Sequence, residues 1–417
     1  MKDKLNIIAG LDIGNGYVKG KATVNNGDVM LVDMPSVVSY TVGDNIPKIA
    51  TDEYMSNLVN ELDATVTSRA IKTADAGRVF FGKRGIRSGE SLREFNIENH
   101  VPKCKDALST MLILGSISSI AIEYYYKEHK ALPGDNLDVV CALGIALPIE
   151  DFMEWKDVYR NTLMSDKHHI IIHNFDHDID VSVTFANVEV LAEGAAAQYA
   201  IAGLGADFLQ LAIDDARLNG AQIDSVYTGE MLANAQNTIG IDIGEGTTNF
   251  PVFHNGSVSI ESSTSINKGY GTVLTNVVAQ LRNTNYAPET RKELADFMLI
   301  QNPMPAQKHI QDNMRVYINK QITIFVRDVL KEFSNIFRKV GLRTDVIYVY
   351  GGGSKDVKDT LYPAIIEAVT LDDGSCLPVI YLDSSYSRDL NRTGLYEIAL
   401  LGAEVVGMIG SSNKGVK

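Results

Sequence analysis

The chain has 417 residues, 45% hydrophobic and 22% charged, an ordinary globular composition that excludes a largely disordered protein. At about 150 residues per domain this length implies two to three domains, with a core large enough to need no disulfide or metal staple. The balance of 38 basic against 52 acidic side chains, a net charge of −14, argues against a general affinity for nucleic acid or anionic membrane.

The N-terminal stretch MKDKLNIIAGLDIGNG has no long apolar run, because Asn6 and Asp12 interrupt it, so it does not read as a signal peptide. Within it begins GLDIGNGYVKGKA (10–22), which reads as strand, glycine turn and strand. A turn at Asn25-Asn26-Gly27 and the apolar run 29–32 then extend the pattern into a hairpin. The segment from about 35 to 100 carries little signal and is assigned to a variable small subdomain. Inside it, Gly77 to Lys83 has the glycine and lysine spacing of a P-loop. Arg84 replaces the magnesium-binding Ser or Thr, and Val79-Phe80-Phe81 reads as a strand, so the match is read as chance.

Further on, 111–122 reads as a buried helix, too short for a bilayer and running into Glu123. Residues 137–147, closed by Pro148, form a buried-strand pattern. His168, His169, His173 and His177, with Asp176, Asp178 and Asp180, have the look of a metal cluster. Their alternation is that of a hairpin, which sends neighbours to opposite faces, and they are read as solvated strand and turn residues. A strand around Val188-Glu189-Val190 runs into an alanine-rich helix at Glu193.

The second half repeats the first. In GIDIGEGTTNFPV (240–252), Gly240, Asp242, Gly244 and Gly246 match Gly10, Asp12, Gly14 and Gly16 at a constant offset of 230. The run 250–253, a His254-Asn255-Gly256 turn and the run 258–260 repeat the downstream hairpin. The offset is too long for a solenoid and implies two related α/β domains facing each other. Residues 307–338 read as a long amphipathic helix, with Ile310, Met314, Ile318, Ile322, Phe325, Val329, Phe333 and Ile336 three or four apart. A short strand at 346–350 leads into Gly351-Gly352-Gly353-Ser354-Lys355, and 393–409 reads as helix. The polar tail 411–417 offers no amphipathic membrane anchor. Cys104, Cys141 and Cys376 are too scattered for a disulfide framework or a zinc ligand set, and read as reduced thiols of a cytoplasmic protein.

A strand–Asp–x–Gly–x–Gly turn has a distinct chemistry. Its glycines allow close backbone approach, its free N–H groups make an anion-binding concavity, and an aspartate at the strand end suits a hydrated metal ion. Two such turns facing each other would grip a polyphosphate, with Asp12 and Asp242 flanking one Mg²⁺. Lys19 is placed to offer a point charge to a phosphate; the competing reading is a solvated strand lysine. A Rossmann fingerprint fails, because Lys19 stands where its third glycine belongs.

On these residues the chain resembles the actin superfamily of ATPases. GLDIGNGYVKG and GIDIGEGTTNF resemble its two phosphate loops, YVYGGGSKD (348–356) its adenosine loop, and EGAAAQYA (193–200) and LNRTGLYEIALLGA (390–403) its two connecting helices. Within that superfamily the chain is most similar to the ParM group of bacterial plasmid-segregation actins, through GNGYVKG, ALGIALPI and NRTGLYEIAL.

The resemblance implies two ribonuclease-H-like (actin-fold) domains, 1–190 plus 394–417 and 191–393, facing across a nucleotide cleft. It implies phosphates cradled by Gly14, Asn15, Gly16 and Lys19 and by Gly244, Glu245, Gly246 and Thr247, with Mg²⁺ near Asp12 and Asp242. Glu193 takes the position at which relatives orient the attacking water; the competing reading is an acid favouring a helix N-terminus. Glu245 either supports the metal's water shell or is a solvated loop acid. Gly351, Gly352, Gly353 and Ser354 would meet the adenosine, with Lys268, Arg291 and Glu293 as purine-pocket candidates.

The implied function is a cytoplasmic, filament-forming hydrolase of ATP or GTP that segregates plasmid DNA. An acidic chain would reach DNA through a separate basic adaptor at a centromere-like site. Alternatives are a monomeric small-molecule kinase of the same superfamily and a nucleotide-binding scaffold. The chain stops just after the second connecting helix, without room for the peptide-binding domain of a chaperone.

Overall fold

The computed structural model describes residues 4–43, 47–88, 91–96, 101–218, 220–221, 223–370, 372, 374–382, 384–387 and 389–409. The polar tail 411–417 lies outside them. The chain divides into two compact units, 1–197 with 391–417 and 198–390.

The first unit is built on one mixed sheet. Its strands are β1 (Lys4–Ile13), β2 (Tyr17–Val24), β3 (Met30–Pro35), β4 (Val38–Tyr40), β5 (Asp63–Thr67), β6 (Gly77–Phe81), β7 (Leu92–Arg93), β8 (Asn136–Leu147), β9 (His168–Ile172) and β10 (Ile179–Ala192). Among the described residues their order is β3-β2-β1-β8-β10-β9-β5-β6-β4-β7. The parallel centre, β1 beside β8 beside β10, carries the most continuous apolar runs, as strands covered on both faces must. β2 and β3 fold back antiparallel through a turn in which Asn25 and Asn26 take φ +50° and +58°. Asparagine tolerates this left-handed region better than branched residues do.

Among the described residues the 35–100 segment builds no separate sheet. Its strand β5 pairs antiparallel with β9 and carries β6, β4 and β7 on the same sheet. The stretch resembling a P-loop is β6, followed by a helix over Gly82–Ser88.

Helix α1 (Ala107–His129) is capped by the Asp106 carboxylate, which accepts from the Leu108 amide at 2.9 Å. It packs on β1 and β2 and buries every residue from Ala107 to Ile122. It is longer than the 111–122 expected from sequence. By length and composition α1 is long and apolar enough to cross a membrane, with mean hydropathy 1.4, yet 89% of that window is buried, which marks a core helix.

Helix α2 (Ala195–Gly203) follows β10, and helix α3 (Leu390–Val405) closes the described chain. A Cβ on Gly10 or Gly144 would run into the Leu395–Tyr396 backbone, and one on Gly394 would strike Ala196. Those glycines let α3 lie directly on β1 and β8. Burial also corrects one expectation. His168 is fully buried, bonded to Leu163 O at 2.8 Å and Ser68 Oγ at 2.7 Å, so it is a core residue rather than a solvated one.

The second unit repeats the motif on a smaller sheet. β11 (Thr238–Ile243), β12 (Thr248–Phe250), β13 (Val252–His254), β14 (Ser257–Val258), β15 (Thr264–Ile266), β16 (Val346–Tyr350) and β17 (Val379–Tyr381) are its strands among the described residues. They run β14-β13-β11-β12-β15, while β11 also pairs parallel with β16, and β16 with β17. Its hairpin turn puts Asn255 and Gly256 at φ +51° and +74°.

Four helices supply the rest of this core: α4 (Tyr270–Leu281), α5 (Arg291–Met298), α6 (Pro305–Val340) and α7 (Ser354–Val369). The α6 stripe predicted from sequence is the buried one, Met314, Ile318, Ile322, Phe325, Val329, Phe333 and Ile336, with Ile310 half-buried.

Candidate functional site

The β1–β2 and β11–β12 corners are the same object built twice. In one, Asp12 faces Lys19 and Ile13 faces Val18 across the ladder; in the other, Asp242 faces Asn249 and Ile243 faces Thr248. Each turn is closed by the same bond: Gly14 N to Tyr17 O at 3.0 Å, and Gly244 N to Thr247 O at 2.9 Å.

Each is braced through its carbonyls. Ser36 donates from Oγ to Gly14 O at 2.6 Å and from its amide to Gly16 O at 2.9 Å. The Tyr270 and Gly271 amides donate to Gly244 O at 3.0 Å and Glu245 O at 2.8 Å. Among the described residues the amides of Asn15, Gly16, Glu245 and Gly246 donate to no group of the chain. Two consecutive unused N–H groups in a fixed turn fit a phosphate oxygen.

In the first unit Asp12 is half-buried at the strand end. Burial pushes its carboxyl above the usual aspartate range; Lys19 and Lys103 pull it back, and Glu193 pushes it further up. No hydrogen bond or ion pair reaches the Asp12 carboxylate among the described residues, so a cation there has an unused hard oxygen ligand. Glu193 sits two residues before α2, with its amide bonded to Leu147 O at 2.7 Å. Its Oε1 accepts from Lys103 Nζ at 2.5 Å, and the same Nζ donates to Ile13 O at 2.8 Å. Sequence reasoning missed Lys103. Its signal would have been a lysine beside an apolar helix start, which spacing patterns do not weigh.

In the second unit Asp242 is 4% exposed. A side chain on Gly351, at φ +98°, would collide with Asp242 Oδ1 and the Ile243 backbone. Gly353 N donates to Ile243 O at 2.8 Å, and a Cβ there would meet Tyr270 Cβ at 2.7 Å. Two of the three glycines assigned to the adenosine are thus required by the packing of the loop itself; Gly352 is exposed. Ser354 is turned inward, its buried hydroxyl donating to Gly351 O at 2.8 Å. Burial raises the Tyr350 hydroxyl far above its usual range, and the nearby Asp242 charge raises it further.

The purine-pocket candidates each make a contact within the second unit. Lys268 pairs with Asp328 at 2.7 Å, and Arg291 with Glu245 at 2.9 Å. Glu293 accepts from the Glu289 amide at 2.7 Å, and its own amide donates to Thr290 Oγ1, the cap of α5, at 3.1 Å. A cavity of about 380 Å³ lies instead among α4, α5, α6 and the start of α7. Leu274, Met298 and Ile318 line it with apolar surface, and Tyr270, Arg315, Asn319 and Asp356 with polar groups. Partial burial raises the Asp356 carboxyl, against the pull of Lys355. An apolar slot with a few polar groups is the usual form of a small-molecule site. Sequence reasoning missed it because its lining comes from four helices.

The histidine segment pairs off with its own carboxylates: His169 with Asp180 at 3.1 Å, His173 with Asp178 at 2.8 Å and His177 with Asp176 at 2.9 Å. Among the described residues no group of three or more His, Cys, Asp or Glu is placed to hold a metal ion.

A paired-corner α/β fold of this kind defines an actin-type protein, and comparison with known families agrees. The model for actin-like proteins, N-terminal domain, matches residues 10–195, and that for the archaeal actin homologue MreB-like, C-terminal, matches 240–362. The two matches together span most of the chain, which belongs to the actin superfamily.

Solved structures share the fold at low identity. The apo psk41 ParM protein is 16% identical, with 97% of this chain and 100% of that one covered and a TM-score of 0.56. Ta0583, an archaeal actin homologue in complex with ADP, is 13% identical over 95% and 99%, at 0.56. Bacillus thuringiensis ParM with ADP is 15% identical over 95% and 98%, at 0.55. No curated protein sequence matches the chain.

Proposed function

We propose that the chain is a magnesium-dependent nucleoside triphosphatase whose nucleotide state controls its assembly into filaments. The observation that carries this reading is the pair of corners, each with an aspartate at the strand end and two unused turn amides. The ADP in two fold relatives supports nucleotide as the ligand.

Asn15 and Gly16 in one corner, and Glu245 and Gly246 in the other, bind phosphate oxygens through their amides, and Lys19 adds a charge-assisted contact. Asp12 and Asp242 would hold Mg²⁺, which supplies charge neutralisation on the phosphates. The base is placed in the cavity lined by Tyr270, Ile318 and Asn319, and the nucleotide is ATP or GTP.

Glu193 accepts a hydrogen bond from water and orients its oxygen toward the terminal phosphorus. As that P–O bond forms, the bond to the bridging oxygen breaks and its electron pair leaves with the diphosphate; the water's proton passes to the Glu193 carboxylate. Binding favours assembly, and hydrolysis with phosphate release weakens it. The filament moves plasmid DNA in the cytoplasm through a basic DNA-binding adaptor, because a chain of net charge −14 does not itself favour DNA.

The test is light scattering and sedimentation after adding Mg-ATP or Mg-GTP, with phosphate release measured without any acceptor. Nucleotide-dependent pelleting with release of phosphate is expected. Binding without assembly, with phosphate passing only to a small-molecule hydroxyl, would make the chain a kinase. Binding without turnover would make it a scaffold, and no binding would remove the reading.

A further inference from the structure

Lys103 sits on a short turn of 3-10 helix over Lys103–Lys105, and its side chain is only 9% exposed. An ammonium taken from water needs its three donors met. Two are: one by Ile13 O at 2.8 Å, one by Glu193 Oε1 at 2.5 Å. Among the described residues no third acceptor is bonded to it.

Glu193 is the complement. One oxygen is held, the other takes part in no hydrogen bond among the described residues, and its side chain is 15% exposed. Ile13 lies between Asp12 and Gly14, so a single ammonium ties this acid to the strand end that carries the first corner.

We infer that Lys103 is a positioning residue for hydrolysis: it fixes the Glu193 carboxylate with one oxygen held and one free for water, and offers its third N–H to the terminal phosphate. The inference rests on the triphosphatase reading. A lysine between the acid and the corner couples the two steps, because the group that senses the terminal phosphate also holds the group that orients the water. It follows that Lys103 separates triphosphate from diphosphate, which a purely structural ion pair would not do.

The experiment uses the full chain with magnesium, measuring phosphate release and the affinities for tri- and diphosphate. The variants are Lys103→Met, which keeps the apolar stem, Glu193→Gln, and the double variant. Lys103→Met is expected to lower kcat by about 100-fold, in the range of a lost positioning group. It should weaken triphosphate binding by about tenfold, as loss of one charged contact does, and leave diphosphate affinity within about twofold. Added to Glu193→Gln, it should cost less than about threefold more in kcat, because residues acting as one unit are not additive.

Normal turnover in Lys103→Met overturns the inference. So does an equal loss of tri- and diphosphate affinity. Should the single variant fail to fold, the Lys103→Met/Glu193→Gln double variant leaves no orphaned charge. Its preference for triphosphate must then fall about tenfold below that of Glu193→Gln, on the same contact energy; an equal preference overturns the inference. A wild-type chain that binds no nucleotide refutes the triphosphatase reading itself, whereas a normal Lys103→Met in a working enzyme refutes only the role of Lys103.

Discussion

The two corners share ladder register and turn bond, and differ in what surrounds the aspartate. Across the ladder from Asp12 stands Lys19; at the matching place opposite Asp242 stands Asn249, 5% exposed, with an Oδ1 that makes no hydrogen bond among the described residues. Asp12 also feels Lys103 and Glu193, whereas Asp242 lies beneath Gly351 beside the buried Tyr350. One hairpin geometry thus serves two chemistries. The first unit sets Lys19, Lys103 and the candidate water-orienting acid around its aspartate, and the second holds its aspartate in a tight socket, with Arg291 on Glu245 of the turn and an apolar cavity nearby in the unit.

Removing either acid tests whether the corners remain equivalent in function. Asp12→Ala and Asp242→Ala should each abolish magnesium-dependent nucleotide binding, a loss of about 1,000-fold or more for a buried charged partner; titration calorimetry with unchanged affinity in either variant would break the equivalence. The same residue separates function from stability. Burial disfavours the ionised Asp12, so its folded pKa lies above the unfolded value and the ionised form costs stability at neutral pH. Nucleotide-free Asp12→Asn should therefore melt no lower than the wild type in calorimetry.

The next effect falls on one corner only. Glu193→Ala should slow phosphate release by about 100-fold while filaments still assemble and persist; wild-type turnover would take Glu193 out of the mechanism. Smaller again is Lys19→Asn, which makes the first corner a copy of the second. Loss of one charged phosphate contact, worth about 1.5–3 kcal/mol, predicts a 10- to 100-fold weaker triphosphate affinity in competition binding. No change would mean that the lysine is solvated and that the corners differ only in appearance.

The smallest effect distinguishes the units in acid. Burial lowers the His168 pKa below its usual 6.5. The unfolded chain takes up the proton near that value and the folded chain does not, so stability is full above it and falls as pH drops below it. Hydrogen-exchange protection factors of β9 and β10, corrected for the intrinsic pH dependence of exchange, should fall below about pH 6.5 before those of β11 and β16 do, and His168→Phe should flatten the difference.

How much of this the sequence disclosed follows from which residues leave a pattern. The corners were legible because glycine and aspartate at fixed spacing have few other uses, and the α6 stripe because burial of a helix imposes its period. The side-chain difference at one shared register position, Lys19 against Asn249, also stands in the aligned motifs. Lys103 was not, since its value comes from Glu193, 90 residues away in sequence, arriving within 2.5 Å. Nor was the cavity, whose lining is drawn from four helices. Nor were the partners of Lys268 and Arg291 legible, since Asp328 and Glu245 meet them only in the folded chain. His168 looked solvated because alternation tells which face a residue takes, and not that one face of β9 is sealed.

Helix α1 has a consequence for how the protein is made. Its first sixteen residues are covered on every side, partly by strands β9 and β10 that are encoded later in the chain. Until β9 and β10 have emerged during synthesis, a segment as oily as a bilayer-spanning one lacks part of the cover that the folded chain gives it. The pace of elongation through β8 to β10 therefore sets how long that apolar surface waits for its cover.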